Sequence, residues 1–273
     1  MHALTLRCKS VITKQYNMNY LYEENEVPYG ILSQFGLTQE MVEDLPVDVL
    51  ADIYNGRKSP VLPVTVQTED GEAIQSRTRF ALVRNDKDEV DLLFYPVLDE
   101  EDLKRFSEEQ KQRLKGNRAI IGFVDDRHRL TFDADAPDRG VRSFVQLDPE
   151  TRQVLSVPVQ VIGRNLQLLA DNFGLHAEQM QKMQDGEVVT VLQGEDPVSI
   201  GIDLNSKTGI RFASGDEQRW QRESKREWSK YTFGAFGCWV MDDSGNLDYV
   251  NEDDYSDEMW NEQKKQGMRM GGR

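Results

Sequence analysis

The chain has 273 residues, 30% of them charged and 38% hydrophobic, with a formal net charge of −15. That length supports a sizeable core in one large domain or in two to three small modules, and the charged fraction favours small units with wide solvated surfaces. The acidity argues against general affinity for nucleic acid, whose phosphates need clustered Lys and Arg, while four tryptophans and eleven phenylalanines exclude disorder throughout.

Residues 1–17 hold Arg7, Lys9 and Lys14 and no acid, and the rest of the chain holds 30 basic against 48 acidic side chains. This break marks residues 1–23 as a basic tail and raises Met18 as an alternative start. The three cations also interrupt the apolar stretch that a signal peptide needs. No apolar run approaches the roughly 20 residues of a membrane helix. Cys8 and Cys238 are too few for a disulfide framework, so the expected setting is the reducing cytoplasm.

Next, YGILSQFGLTQEMVEDLP predicts two short helices around Gly36, with Thr38 as N-cap of the second and Pro46 closing it. A third short helix spans Val47–Tyr54. The runs SPVLPVTVQT, AIQSRTRFALV and EVDLLFYPV, separated by turns at Gly71 and Asn85-Asp86, predict a β-meander, and Pro63 places its first strand at an edge. FSEEQKQRLKG predicts a helix capped at Ser107 and stopped at Gly116. Strands NRAIIGFV, VRSFVQL and RQVLSVPV follow, with a charged loop Asp125–Gly140 after the first. A helix over Arg164–Asn172 and another over HAEQMQKMQDG lead to strands EVVTVLQ, VSIGIDL and IRFAS.

The chain repeats itself. Ile31…Phe35-Gly36-Leu37…Leu45 aligns without gaps on Leu169…Phe173-Gly174-Leu175…Met183, and Glu109-Gln110…Leu114…Gly116 resembles Glu178-Gln179…Met183…Gly186 with one residue inserted. In each copy a helix is expected to run through glycine into an apolar strand. The alternatives are duplicated α+β modules and convergence on common helix–Gly–strand grammar.

After Gly215, DEQRWQRESKREWSKY predicts an exposed amphipathic helix. A hairpin, FGAFGCWVM and LDYV around Ser244-Gly245-Asn246, comes next. SDEMWNEQKK then predicts a helix with acids first and lysines last, as the helix dipole favours. The expected fold is therefore α+β: repeated small modules of short helices followed by antiparallel β-meanders, plus a C-terminal helix–hairpin–helix. The units are 24–100, 101–163, 164–215 and 216–273.

Chemistry-bearing patterns are sparse. His2, His128 and His176 form no pair with metal-ligand spacing, and His176 reads as a helix cap. Asp133-x-Asp135-x-x-Asp138-x-Gly140 and Asp242-Asp243-Ser244-Gly245-Asn246-x-Asp248 read as turns rather than calcium loops, since Pro137 takes a ligand place in the first and its bidentate Glu is missing. No catalytic residue, metal or cofactor is expected. The candidate partner-binding face is Arg219, Arg222, Arg226 and Lys230 at i, i+3, i+7 and i+11, on the helix that also carries Trp220 and Trp228. Either this stripe docks an acidic partner or a phosphate backbone, or Glu223 and Glu227 neutralise it and the tryptophans enter a core.

EVPYGILSQFGLTQEMVEDLP, NGRKSPVLPVTV, RFALVRND and LLFYPVL resemble domain-of-unknown-function family 4099. The units around EEQKQRLKG and FVQLDPETRQVL resemble its companion, family 3945; together the two cover roughly residues 24–215. The resemblance implies a protein of Bacteroidetes conjugative transposons, sometimes associated with topoisomerase-like proteins, and it carries no catalytic residue. The expected function is a non-catalytic binding or adaptor protein of a mobile element, serving DNA processing or transfer through contacts with another protein such as a topoisomerase or transfer protein. Direct nucleic-acid binding is not favoured and no membrane is involved. The alternatives are an acidic DNA mimic that inhibits a nucleic-acid enzyme, and an enzyme with an unrecognised site.

Overall fold

The computed structural model describes residues 20–68, 70–100, 103–135, 140–222 and 227–270. The basic tail before Tyr20 and the choice between Met1 and Met18 lie outside them. The fold is α+β, with several antiparallel sheets and short helices packed on them. Among the described residues, no helix is long and apolar enough to cross a membrane.

The first unit opens with α1 (Tyr29–Gln34) and α2 (Gln39–Glu43). Helices of one or two turns are marginal alone, so their ends and packing must hold them. Gly36 takes φ +78°, letting the Leu37 N–H reach back to the Leu32 carbonyl at 3.1 Å, and Thr38 Oγ1 accepts from the Met41 N–H at 3.3 Å. After α3 (Val47–Tyr54) come β1 (Leu62–Gln67), β2 (Ala73–Arg84) and β3 (Val90–Pro96), paired in that order. Pro63 lies on the edge strand β1, where a missing ladder donor costs least.

The middle of the chain is a layered stack. α4 (Glu108–Lys115), whose Ser107 cap receives the Gln110 N–H at 3.2 Å, precedes β4 (Ile120–Val124), β6 (Val141–Leu147) and β7 (Val154–Pro158). A two-residue strand, β5 (Leu130–Thr131), inside the charged loop adds to the edge of β4. Then α5 (Val159–Phe173) and α6 (Ala177–Gln184) precede β8 (Val189–Gln193), β9 (Asp196–Ile202) and β10 (Ile210–Ser214). The expected helix over 164–172 thus begins five residues earlier, directly after Pro158, because a proline fits the residue ahead of a helix.

Period-two alternation decides which layer each strand residue meets. Ile120, Val145 and Leu147 face α4 and its Leu114, whereas Ala119 and Phe144, one residue out of phase, face Ile162, Leu166 and Met183 of α5 and α6. Val189, Ile200 and Ile202 close the other side of that same helical layer. The back of the β8–β10 sheet is covered by α7 (Glu217–Arg222) through Trp220, which is fully buried.

The two middle meanders share one register. Ile120 pairs with Val145 and Leu147 with Val154 in the first; Val189 pairs with Ile200 and Ile202 with Ile210 in the second. This corrects the sequence alignment at one point. With Leu114 on Met183, no residue is inserted, and the counterpart of Gly186 (φ +82°) is Asn117 (φ +58°), not Gly116 (φ −82°). Asn enters the left-handed region more readily than most other non-glycine residues, so the shared backbone is hidden by a change of residue type. A second correction concerns Gly36 and Gly174: both join helix to helix, not helix to strand.

The C-terminal segment also departs from expectation. Its described helix covers Glu217–Arg222, and residues 227–230 are not helical. Tyr231–Phe233 forms β11, which turns the expected hairpin of β12 (Gly237–Met241) and β13 (Leu247–Asn251) into a three-stranded sheet before α8 (Asp257–Met270). Trp239 and Leu247 of this sheet enter the core of the first unit alongside Leu32, Leu37, Val42 and Ile53. One core therefore joins residues far apart in sequence, across the boundaries drawn at 100 and 216.

Candidate functional site

The proposed partner face is not one helical stripe. Arg219 and Arg222 are exposed on α7, Lys230 lies beyond the helix at the start of the last sheet, and Arg226, with Glu223, lies outside the described residues. Trp220 sits in the core behind β9, its Nε1–H donating to the Arg211 carbonyl at 3.0 Å and its ring lying 4.0 Å from the Arg211 guanidinium. Trp228 is half-buried against the core that the first unit shares with the last sheet, so the two tryptophans serve different cores. Lys230 Nζ bonds the Glu258 carboxylate of α8 at 2.9 Å, which raises the ammonium pKa and lowers that of the carboxyl. His176 caps α6, its N–H donating to Gln179 Oε1 at 2.9 Å. Among the described residues no cluster of three or more His, Cys, Asp or Glu is placed to hold a metal.

Sequence reading missed a charged junction where the first unit meets both middle meanders. Strands β6 and β9 are each followed by an aspartate, Asp148 and Asp203, at equivalent places in the two meanders. Each bends its turn alike: Asp148 Oδ1 accepts from the Glu150 N–H and Asp203 Oδ1 from the Asn205 N–H, both at 3.0 Å. The Asp148 side chain is fully buried and lies 3.5 Å from Arg79 and 3.7 Å from Lys58, both brought by the first unit. Arg79 also bonds Glu150 at 2.9 Å and the Ser59 carbonyl at 2.6 Å. Asp203 is held at 2.7 Å by Arg211 Nε.

These groups line a cavity of about 260 Å³, with Arg57, Lys58, Arg79 and Arg211 balanced by Asp52, Asp148, Glu150 and Asp203. Lys58 donates to Asn205 Oδ1 at 3.1 Å and lies 4.4 Å from the centre of the Tyr95 ring. Burial lowers its pKa, against the opposing pull of Asp148. The signal for this site was present as Asp148-x-x-Thr151 and Asp203-x-x-Ser206, each after an apolar strand.

A second clamp joins the first unit to the last sheet. The buried Asp44 carboxylate, at the end of α2, accepts from the N–H groups of Phe236 and Gly237 at 3.0 and 2.7 Å, from the Ala235 N–H, and from the Tyr249 hydroxyl. Gly234 is required here, because a Cβ would overlap that carboxylate. Arg77 spans the same seam, donating to the Leu247 carbonyl and the Asp248 carboxylate, each at 2.7 Å.

Along this seam runs a groove of about 610 Å³. Met41, Pro63, Val64 and Leu98 give it apolar walls, and Gln75, Ser76, Arg152, Asn246 and Tyr249 give it hydrogen-bonding groups.

Residues 22–106 match the model of a family described as a protein of unknown function (DUF4099). No curated protein and no solved structure matches the chain. The matched stretch contains α1–α3, the first meander and one wall of the groove, and it stops at Phe106, just before α4.

Proposed function

We propose that this protein is a non-catalytic adaptor of a mobile genetic element, supporting DNA processing or conjugative transfer by binding another protein. The observation that carries this reading is the seam groove. It is open, walled by parts of three sheets, and mixes apolar surface with groups able to bond a peptide backbone, as sites for extended segments do. The clamps at Asp44 and Arg77 fix its two walls, so a peptide would meet a preformed surface and spend little binding energy on ordering it. The family resemblance supplies the setting of the mobile element. The partner class it implies is a relaxase, a topoisomerase or another transfer protein.

Ser76 lies exposed in the groove, and Ser76→Trp puts a bulky ring into it while keeping every residue of the two clamps. Affinity capture from cells that carry the element is expected to recover one such transfer protein with the wild-type chain and to lose at least about 90% of it with S76W. Recovery of nothing specific, or equal recovery with both chains, overturns the reading.

A second reading, an enzyme acting at the junction cavity, is favoured by Lys58, an amine with lowered pKa among carboxylates in a half-open recess. Treatment with a small aldehyde and borohydride tests it. Labelling concentrated on Lys58 at neutral pH supports the enzyme, and labelling spread over the exposed lysines removes it.

A further inference from the structure

Beside α2 and α3, where Ala235 and Phe236 meet the Asp44 clamp, lies a recess of about 290 Å³ with a different chemistry. Tyr20, Tyr54 and Phe236 supply aromatic walls, Leu50 and Ala51 an apolar floor, and Glu24 and Glu43 are the charged residues that line it. Both charges are negative. Tyr20 and Tyr54 meet edge to face with centroids 5.5 Å apart, and Phe236 is held beside them by the bond of its own N–H to Asp44, leaving its ring partly exposed. The field is felt by the neighbouring phenols: burial first, and then the glutamates among other neighbours, push the pKa values of Tyr54 and Tyr29 upward.

Ring faces carry negative quadrupole density, and a partly desolvated cation over them gains more than it would on a solvated surface. Carboxylates at the rim add attraction that an anion or a neutral polar group would not receive. We infer that this recess receives a lysine or arginine side chain of a partner protein. The alkyl stem of either residue would lie on Leu50 and Ala51 while its charged head meets Glu24 and Glu43. The identity of the bearer as a protein rests on the adaptor reading, whereas the cation preference rests on the recess alone.

The test is an amide-resolved NMR titration of the full-length chain with N-acetyl-lysine methylamide and N-acetyl-arginine methylamide, using the norleucine and citrulline analogues as uncharged controls. Saturable shifts are expected at Ala51, Ala235 and Phe236 with the two cations and not with the controls. The double variant E24Q/E43Q is expected to bind about tenfold more weakly, and Phe236→Leu, which keeps the bulk and the backbone bonds but loses the ring, about threefold more weakly. Glu195→Gln with Asp196→Asn, which removes two exposed carboxylates where β8 turns into β9, should bind as the wild type does. Shifts spread over the acidic surface, equal weakening in both double variants, or no localised shift at all would sink the inference. None of these results depends on a captured partner, so failure here and failure of the S76W comparison are separate outcomes.

Discussion

The two middle meanders have the same strand register and differ in what covers their backs. In the first, Gln146 reaches out of β6, its Nε2–H₂ donating to the Asn117 carbonyl at 2.7 Å and the Ile202 carbonyl at 3.2 Å, while its Oε1 accepts the Leu204 N–H at 2.8 Å. At the equivalent place in β9 stands Gly201, where a Cβ would meet the Trp220 ring. One plan thus yields an inner layer, stitched to its neighbour by a polar side chain, and an outer layer that makes room for an aromatic cap. In stacked repeats the terminal unit needs a cover of its own, since no further neighbour buries its face. Trp220 is that cover, which is why it cannot serve as a contact residue on the surface.

The comparison breaks most severely at the cap. Trp220→Ala is expected to cost about 3–5 kcal/mol, and hydrogen exchange should show β9 and β10 losing protection before β4 and β6. Next come the paired aspartates. Asp203→Ala takes the carboxylate from the Arg211 guanidinium and is expected to cost about 3–5 kcal/mol, against about 2–3 kcal/mol for Asp148→Ala, after which Arg79 keeps Glu150 and the Ser59 carbonyl and Lys58 keeps Asn205. Chemical denaturation of the two variants under one set of conditions would measure the difference, and equal losses would mean that the two turns are energetically equivalent.

The helix–strand corners give a sharper contrast. Gly186→Asn would drive a Cβ into the Ala119 carbonyl and is expected to cost about 2–3 kcal/mol, although Asn occupies the same backbone state at 117. Lys58, between both aspartates, offers a change in slope. Its folded pKa is lowered by burial, so between that value and the unfolded value near 10.5 the unfolded chain holds more protons. Stability from this group therefore rises with pH through that window. Lys58→Met should flatten the rise, which denaturation midpoints at several alkaline pH values would reveal. Asn117→Gly is the mildest change, expected within about 0.5 kcal/mol of wild type, since relief at φ +58° offsets the 3.3 Å bond its side chain makes to the Gln221 carbonyl.

Much of the fold was legible because its cues are local. Thr38 and Ser107 mark helix starts by side chains that accept from nearby backbone N–H groups, His176 by a backbone N–H that donates to the Gln179 side chain, and Val47–Tyr54 forms a helix as expected. The candidate site was less legible. Arg219, Trp220, Arg222, Arg226, Trp228 and Lys230 form a stripe only if the helix continues, and it does not do so through residues 227–230. Lys58 and Arg79 carry no spacing that announces them, and Asp148 and Asp203 show only as Asp-x-x-Thr and Asp-x-x-Ser after an apolar strand, because the four meet through contacts between separate elements.

The sequence by itself determined the α+β class, the succession of short helices and three-stranded meanders, and the turns, since capping, periodicity and chirality act over a few residues. Only the tertiary structure decided which meander lies inside the stack, that Trp220 seals its end, and that the last sheet shares a core with the first unit. Those outcomes depend on contacts between residues a hundred or more positions apart, such as Asp44 with Gly237, whose partners no local pattern specifies.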